Sequence, residues 1–437
     1  MSSGLIDLVG YVAERAGRRH PGRQTSVEYQ RPYRPLPVAL ANRLGRALER
    51  FGIRARLEED SLVAAARKET GLSDLGDDVA LRRRLRILLQ SLNDEARLHP
   101  VGRLMARQNI IRLLTNRLRI EDALKREPRI SQTTLEPPVF IAGLQRTGTT
   151  LLHRLMSCDT DFRYLAAWEA INPAPLTGRG NGANDPRIRA AELAQLGLRY
   201  LAPDFFAIHP IDAQGPEEDC LLFDFDFFGQ VPEATQRVSR FSAWLEHQDH
   251  APAYRFIENV LRYLQFQRPG GHWLLKTPQH LENLDSLLEV FPQARIIQTH
   301  RDPVTTLASL CSMLCHARGV FSDHIDVREV AGHWLAKTAR MIECSMYVRN
   351  KTGRGKFLDV SYYDLAADPL AEIRRIYDWL GKELNERTVS VMRQHLNHNP
   401  RHKYGVHRYG MEQFGLDEDK VERLFAEYRR RFGIPRE

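Results

Sequence analysis

Between residues 37 and 126 apolar side chains return every three or four positions, the repeat of helices with one apolar face. Leu40, Leu44, Leu48 and Phe51 share such a face, and similar stripes run through 56–68, 79–93 and 103–124, with breaks at Gly71, Pro100 and Gly102. Residues 20–36, rich in proline and poor in aliphatics, are expected to form an extended arm ahead of these helices. At Pro137-Pro138 the pattern changes. Val139–Gly143 is a short continuous apolar run, the mark of a buried strand, and a Gly/Thr turn and a helical stretch over Leu151–Met156 follow it. Trp273–Lys276, Ala294–Thr299 and Lys356–Ser361 are further strand candidates, each ahead of a helical stretch. Strands alternating with helices predict an α/β region with a mainly parallel sheet. The expected division is an all-helical region over 1–135 and an α/β domain over 136–437. Residues 177–187, dense in Gly and Asn, form either a lid or a plain surface loop.

The 437 residues, 43% hydrophobic and 27% charged, exclude a disordered or fibrous chain, and no run of about 18 apolar residues is available to span a membrane. No basic segment followed by an apolar one opens the sequence, and the five cysteines are odd in number and irregularly spaced; a cytoplasmic protein without disulfides is expected. Cys311 and Cys315 would share a helix face beside His316, but no second ligand pair stands at zinc-site spacing, and no metal is expected. The net charge of +8 is uneven: residues 1–135 carry 26 Lys and Arg against 16 Asp and Glu. A basic excess of this kind serves nucleic acid, an acidic membrane surface or an anionic substrate, or is the solvated side of basic helices. The interleaving of arginine with leucine favours the last, and no nucleic-acid partner is expected.

The chemistry begins where the first strand turns into its helix. Gly143 and Gly148 are spaced as in a nucleoside-triphosphate loop, whose glycines let backbone N–H groups face an anion at a helix N-terminus. The lysine that follows the second glycine in such loops is missing: Thr149 stands there, and the cation is Arg146, two residues before Gly148. A loop of this kind, with Thr147, Thr149 and Thr150 around it, suits a 5′-phosphate bearing a sulfuryl group, a donor with no β/γ-phosphate pair to clamp. A second anchor lies downstream. Arg301 ends a strand, and Ser309 follows eight residues later, near the same face of the ensuing helix, so both can reach one phosphate.

Together these residues resemble the signature of sulfotransferases that use 3′-phosphoadenosine-5′-phosphosulfate (PAPS). The likeness continues through Leu274–His280, Phe291–Ile296 and Asp359–Leu365, where Tyr363 stands in place of the family's usual Glu, and on to His407–Leu416. It spans about 138–434, is closest to a bacterial branch related to tyrosylprotein sulfotransferases, and implies a P-loop-like three-layer fold around a parallel sheet. The resemblance further implies that Arg146, Thr147, Gly148, Thr149 and Thr150 hold the 5′-phosphosulfate end and Arg301 and Ser309 the 3′-phosphate. Tyr362 is the implied adenosine contact, and His407, Arg408 and Tyr409 are implied to close over the donor.

Sulfuryl transfer needs a base for the acceptor and a cation for the leaving oxygen. By the same resemblance Lys276, at a strand end, neutralises the leaving oxygen. Glu169, 23 residues after Arg146 and beside Trp168, is the implied base, a partly desolvated carboxylate of the kind that accepts protons. His209, Glu217 and Glu218 are the alternatives. Phe205-Phe206 and the aromatic run Phe223–Phe228 belong either to a pocket for an apolar alcohol or phenol or to the core. The competing reading is a kinase or NTPase without the loop lysine. The acceptor and the oligomeric state are not legible.

Overall fold

The computed structural model describes residues 29, 31–176, 185–398 and 410–437. Five parallel strands form the sheet: β1 (Val139–Gly143), β2 (Phe162–Tyr164), β3 (His272–Lys276), β4 (Arg295–His300) and β5 (Phe357–Ser361). Their order is β2-β3-β1-β4-β5, with the phosphate-loop strand in the centre. Alternation along each strand sends side chains to two faces. Val139 and Ile141 join Leu274, Ile297 and Val360 under the Thr149–Met156 and Pro369–Leu380 helices. Phe140, Ala142, Trp273, Leu275 and Ile296 meet the Ala251–Gln267 and Val327–Lys351 helices on the other side. The result is the three-layer α/β arrangement with a central parallel sheet. Four strands match the runs read from the sequence to within a residue or two. The fifth, β2, has three residues at the sheet edge, too few for a pattern to show.

Among the described residues before β1 the chain is helical, with helices over Leu36–Glu49, Glu59–Thr70, Asp78–Asp94 and Pro100–Arg126. The apolar faces of the last three join the same continuous core as the sheet, which runs without a break from Leu57 to Ile434. Buried ion pairs fasten the join: Arg84 and Arg117 reach the Asp226 carboxylate at 2.5 and 3.0 Å. The Leu36–Glu49 helix differs. It packs through Gly45, where an added Cβ would come within 2.4 Å of Pro100, and through Asn42, which accepts from the Val101 N–H at 2.9 Å. Its leucine face is turned outward, with Leu36 71%, Leu40 54% and Leu44 63% exposed.

Among the described residues no helix is long and apolar enough to cross a membrane, and no cluster of His, Cys, Asp and Glu is arranged to hold a metal. The five cysteines are free, and Cys311 and Cys315 are buried packing residues of the Pro303–Gly319 helix.

Candidate active site

The exits of β1, β3 and β4 lie side by side, and the loop leaving β1 shows why its residues are what they are. Gly143 leaves no room for a side chain, since a Cβ there would sit 2.1 Å from the Thr299 hydroxyl on β4. Thr147 is fully buried; its hydroxyl donates to the Leu144 carbonyl at 2.6 Å and lies 2.6 Å from the Thr299 hydroxyl. It therefore braces the turn, leaving its backbone to face a ligand. Gly148 caps the Thr149–Met156 helix at φ 90°, a conformation natural to glycine. Arg146 reaches φ 69°, left-handed for a residue with a Cβ, and strain of this kind gathers at ligand-binding loops.

That strain aims Arg146 across the site. Its Nε donates to the Ser309 hydroxyl at 3.2 Å, and Arg301 Nη1 donates to the Arg146 carbonyl at 3.1 Å. The expected anchors are thus brought together from the β1 loop, the end of β4 and the Pro303–Gly319 helix. Asp302 caps that helix by accepting from the Val304 N–H. Tyr362 stacks under the Arg301 guanidinium at 4.0 Å, and its ring borders Gly148. A partner that sequence reading missed is Glu437, whose carboxylate takes Arg301 in a two-pronged pair at 2.7 and 2.7 Å. The Tyr363 hydroxyl, where the family usually has Glu, donates to the same carboxylate at 2.9 Å. His407, Arg408 and Tyr409 lie outside the described residues.

Lys276 ends β3 almost fully buried, its ammonium paired with Glu218. Burial alone would push the Glu218 carboxyl up, but Lys276, and after it His209, outweigh this and hold it below its ordinary range. His153, on the helix beneath, is buried with its Nε2 lacking a hydrogen-bond partner, and burial together with Lys276 depresses it to about 3. It stays neutral and leaves Lys276 as the local cation. Asp219, next to Glu218, has its Oδ2 3.0 Å from His280 Nε2 without the geometry of a hydrogen bond, and His280 Nδ1 meets the Tyr254 hydroxyl at 2.9 Å. These buried groups pack the Glu218 loop against the turn after Lys276.

Glu169 is buried beside two arginines. One oxygen accepts from Arg163 at 2.9 Å, the other accepts from Arg268 at 2.9 Å and from the Ala166 N–H at 3.2 Å. Arg163 is paired with Trp273, three residues ahead of Lys276, and Arg268 precedes β3 altogether. Nothing ties this carboxylate to Lys276. The aromatic run Phe223–Phe228 is core: Phe223, Phe225, Phe227 and Phe228 are each at most 3% exposed. Phe205 and Phe206 are half-buried, with the Phe205 ring 5.9 Å from His209. Arg154, from the helix after the β1 loop, donates to the Pro210 carbonyl at 3.0 Å and so ties this segment to that helix.

A profile of the sulfotransferase family matches residues 137–386, more than half of the sequence. This chain belongs to the sulfotransferase family. The sulfotransferase is also similar, at 30% identity and TM-score 0.74 over 84% of this chain and 98% of the other, to the solved sulfotransferase STF1 of Mycobacterium tuberculosis H37Rv. The STF9 sulfotransferase of Mycobacterium avium shares 28% identity at TM-score 0.78, covering 86% of this chain and 97% of that one. A curated relative in Mycobacterium bovis, omega-hydroxy-beta-dihydromenaquinone-9 sulfotransferase Stf3, is 26% identical over 61% of this chain and 69% of its own length. The two structural likenesses, at 84 and 86% of this chain, reach back into the helical region, which the sequence motifs did not cover. The sulfotransferase is an enzyme of sulfuryl transfer, and the kinase reading falls with the family match.

Proposed function

We propose that this sulfotransferase takes its sulfuryl group from PAPS and passes it to a hydroxyl of a lipophilic small molecule. The observation that carries the donor is the convergence of Arg146, Arg301 and Ser309 on the rim of the strained loop. The loop and helix N-terminus serve the 5′ end, and a separate arginine with a serine gives a 3′-phosphate its own anchor, which ordinary nucleotides do not need. The acceptor class is supported by the half-buried Phe205-Phe206 segment beside His209 and by the omega-hydroxylated dihydromenaquinone in the name of the curated relative.

In the reaction the acceptor oxygen bonds to sulfur while the bond from sulfur to the bridging phosphate oxygen breaks. The electron pair leaves on adenosine 3′,5′-bisphosphate, and the acceptor proton goes to a base. Lys276 supplies positive charge to the bridging oxygen, where negative charge grows as the bond breaks. We assign the base to Glu218 in preference to Glu169, because Glu169 has both oxygens committed to arginines and backbone, whereas Glu218 shares Lys276. When Lys276 turns to the leaving oxygen, Glu218 loses the charge that keeps it a weak base, so its proton affinity rises when it is needed. Glu169 then acts as a positioning residue that holds the turn after β2. His407, Arg408 and Tyr409 are assigned by resemblance to closing over the donor.

Calorimetry tests the donor assignment. Adenosine 3′,5′-bisphosphate should bind at least about tenfold more tightly than AMP, as expected for charge-assisted bonds to one extra phosphate. Equal affinities would remove the second anchor and PAPS with it.

A further inference from the structure

The transfer reaction does not use the exposed leucine stripe of the Leu36–Glu49 helix. Leu36, Leu40, Leu44 and Leu48 recur at four-residue intervals and are 71, 54, 63 and 38% exposed; Phe51 and Ile53 extend the face at 80 and 61%. On the helical wheel this face points away from Gly45 and Asn42, the two residues that seat the helix on the start of the Pro100–Arg126 helix. Its exposure is therefore set by the packing behind it.

The charge beside the stripe identifies the occupant. Residues 36–56 hold five arginines, Arg43, Arg46, Arg50, Arg54 and Arg56, against one acidic residue, Glu49. All five are exposed. On the wheel Arg43, Arg46 and Arg50 fall on one flank of the leucines, and Arg54 and Arg56 follow the turn after the helix. A protein partner that buried the leucines would need a matching acidic rim. An anionic bilayer offers phosphates at the height of the arginines and acyl chains beneath the leucines, the arrangement that interfacial helices exploit. We propose that the Leu36–Ile53 segment is a membrane-surface anchor that lies in the headgroup layer of anionic lipid.

The anchor is mechanically joined to the donor site. Ahead of the helix, Arg34 pairs with Asp323 at 2.9 Å and Pro32 packs on Gly319. The Tyr29 hydroxyl donates to Ser312 at 2.9 Å on the helix that carries Ser309. The strap from the stripe thus runs along the Pro303–Gly319 helix, so a docked enzyme would hold its site in a fixed attitude to the bilayer. This inference goes beyond the acceptor assignment and does not depend on it.

The test is sedimentation of the full chain with vesicles of phosphatidylcholine alone and of phosphatidylcholine mixed with phosphatidylglycerol. The protein should sediment with the anionic vesicles and release as salt rises. Leu40→Gln/Leu44→Gln should weaken partition at least about tenfold, and Arg43→Glu/Arg50→Glu by a similar factor, with adenosine 3′,5′-bisphosphate binding unchanged as the check on folding. A chain that stays in the supernatant with anionic vesicles at low salt overturns the proposal. So does light scattering in which the leucine changes turn a dimer into a monomer while vesicle binding is absent, which would give the face to a second copy.

Discussion

In the proposed reaction Arg301 and Lys276 differ in when their charge is used, and the difference is measurable. Arg301→Ala removes charge-assisted bonds worth roughly 1.5–3 kcal/mol to the donor, so the KM for PAPS should rise by about tenfold or more with kcat less affected. An unchanged KM would make Arg301 structural. Its pair with Glu437 adds a second expectation. A phosphate that uses Arg301 must displace that carboxylate, so Glu437→Gln should bind adenosine 3′,5′-bisphosphate a few-fold more tightly, and weaker binding in calorimetry would contradict this. Lys276→Ala should depress kcat far more than donor binding, since its partner charge appears only as the bond breaks. Glu218→Gln should lower kcat for aliphatic alcohols and recover partly with nitrophenols, which need less help losing a proton. Rescue by nitrophenols in Glu169→Gln, with Glu218→Gln near normal, would return the role of base to Glu169.

At the level of elements, the β1 loop is the tightest part of the site. Gly143→Ala would drive a methyl into the Thr299 hydroxyl, and overpacking of this sort costs about 1–3 kcal/mol, so a fall in melting temperature together with weaker donor binding is expected. Native stability in that variant would show that the strand exits are not held as described. This loop was legible in the sequence because its requirements are local: two glycines, an arginine and a run of threonines at a strand-to-helix turn. The pairings that decide each residue's task were not. Glu218 meets Lys276 across 58 positions and Glu437 meets Arg301 across 136, and no spacing rule reaches so far. Thr147 is a motif threonine whose hydroxyl proved internal, since only the approach of Thr299 from β4 could reveal its partner. Apolar period found the Leu36–Glu49 helix but not its environment, because a leucine stripe reads the same against protein, lipid or water.

For the whole molecule, the helical region and the sheet share one core, and Asp226 is where charge is buried at their junction. Asp226→Ala leaves the buried Arg84 without a carboxylate and Arg117 with Glu121 alone, and should cost about 3–5 kcal/mol in denaturant unfolding, where a loss within experimental error would show that the ion pairs do not fasten the join. Buried histidines shape the response to pH. Burial depresses His99 and His250 to about 4 and His153 to about 3, so the folded chain leaves them neutral while the unfolded chain protonates below about 6.5. Their contribution is complete above that pH and is lost as pH falls through the folded values. Asp224, raised to about 8 by burial against the pull of Arg112, acts in the opposite sense, its contribution full below about 4 and fading as pH rises. Burial depresses His300 in the same sense and raises Asp226 and Glu282 as it does Asp224; the histidines titrate inside this window and predict lower stability at pH 5 than at pH 7, and a higher denaturant midpoint at pH 5 would contradict the balance. Sulfuryl transfer from PAPS to the hydroxyl of an apolar acceptor is tested by the fate of label from radioactive PAPS incubated with a hydroxylated isoprenoid quinone. Label is expected in an organic-extractable sulfate ester, formed by the wild-type enzyme and nearly abolished in Lys276→Ala. Firm binding of adenosine 3′,5′-bisphosphate with label passing only to polar sugars or peptides would contradict it.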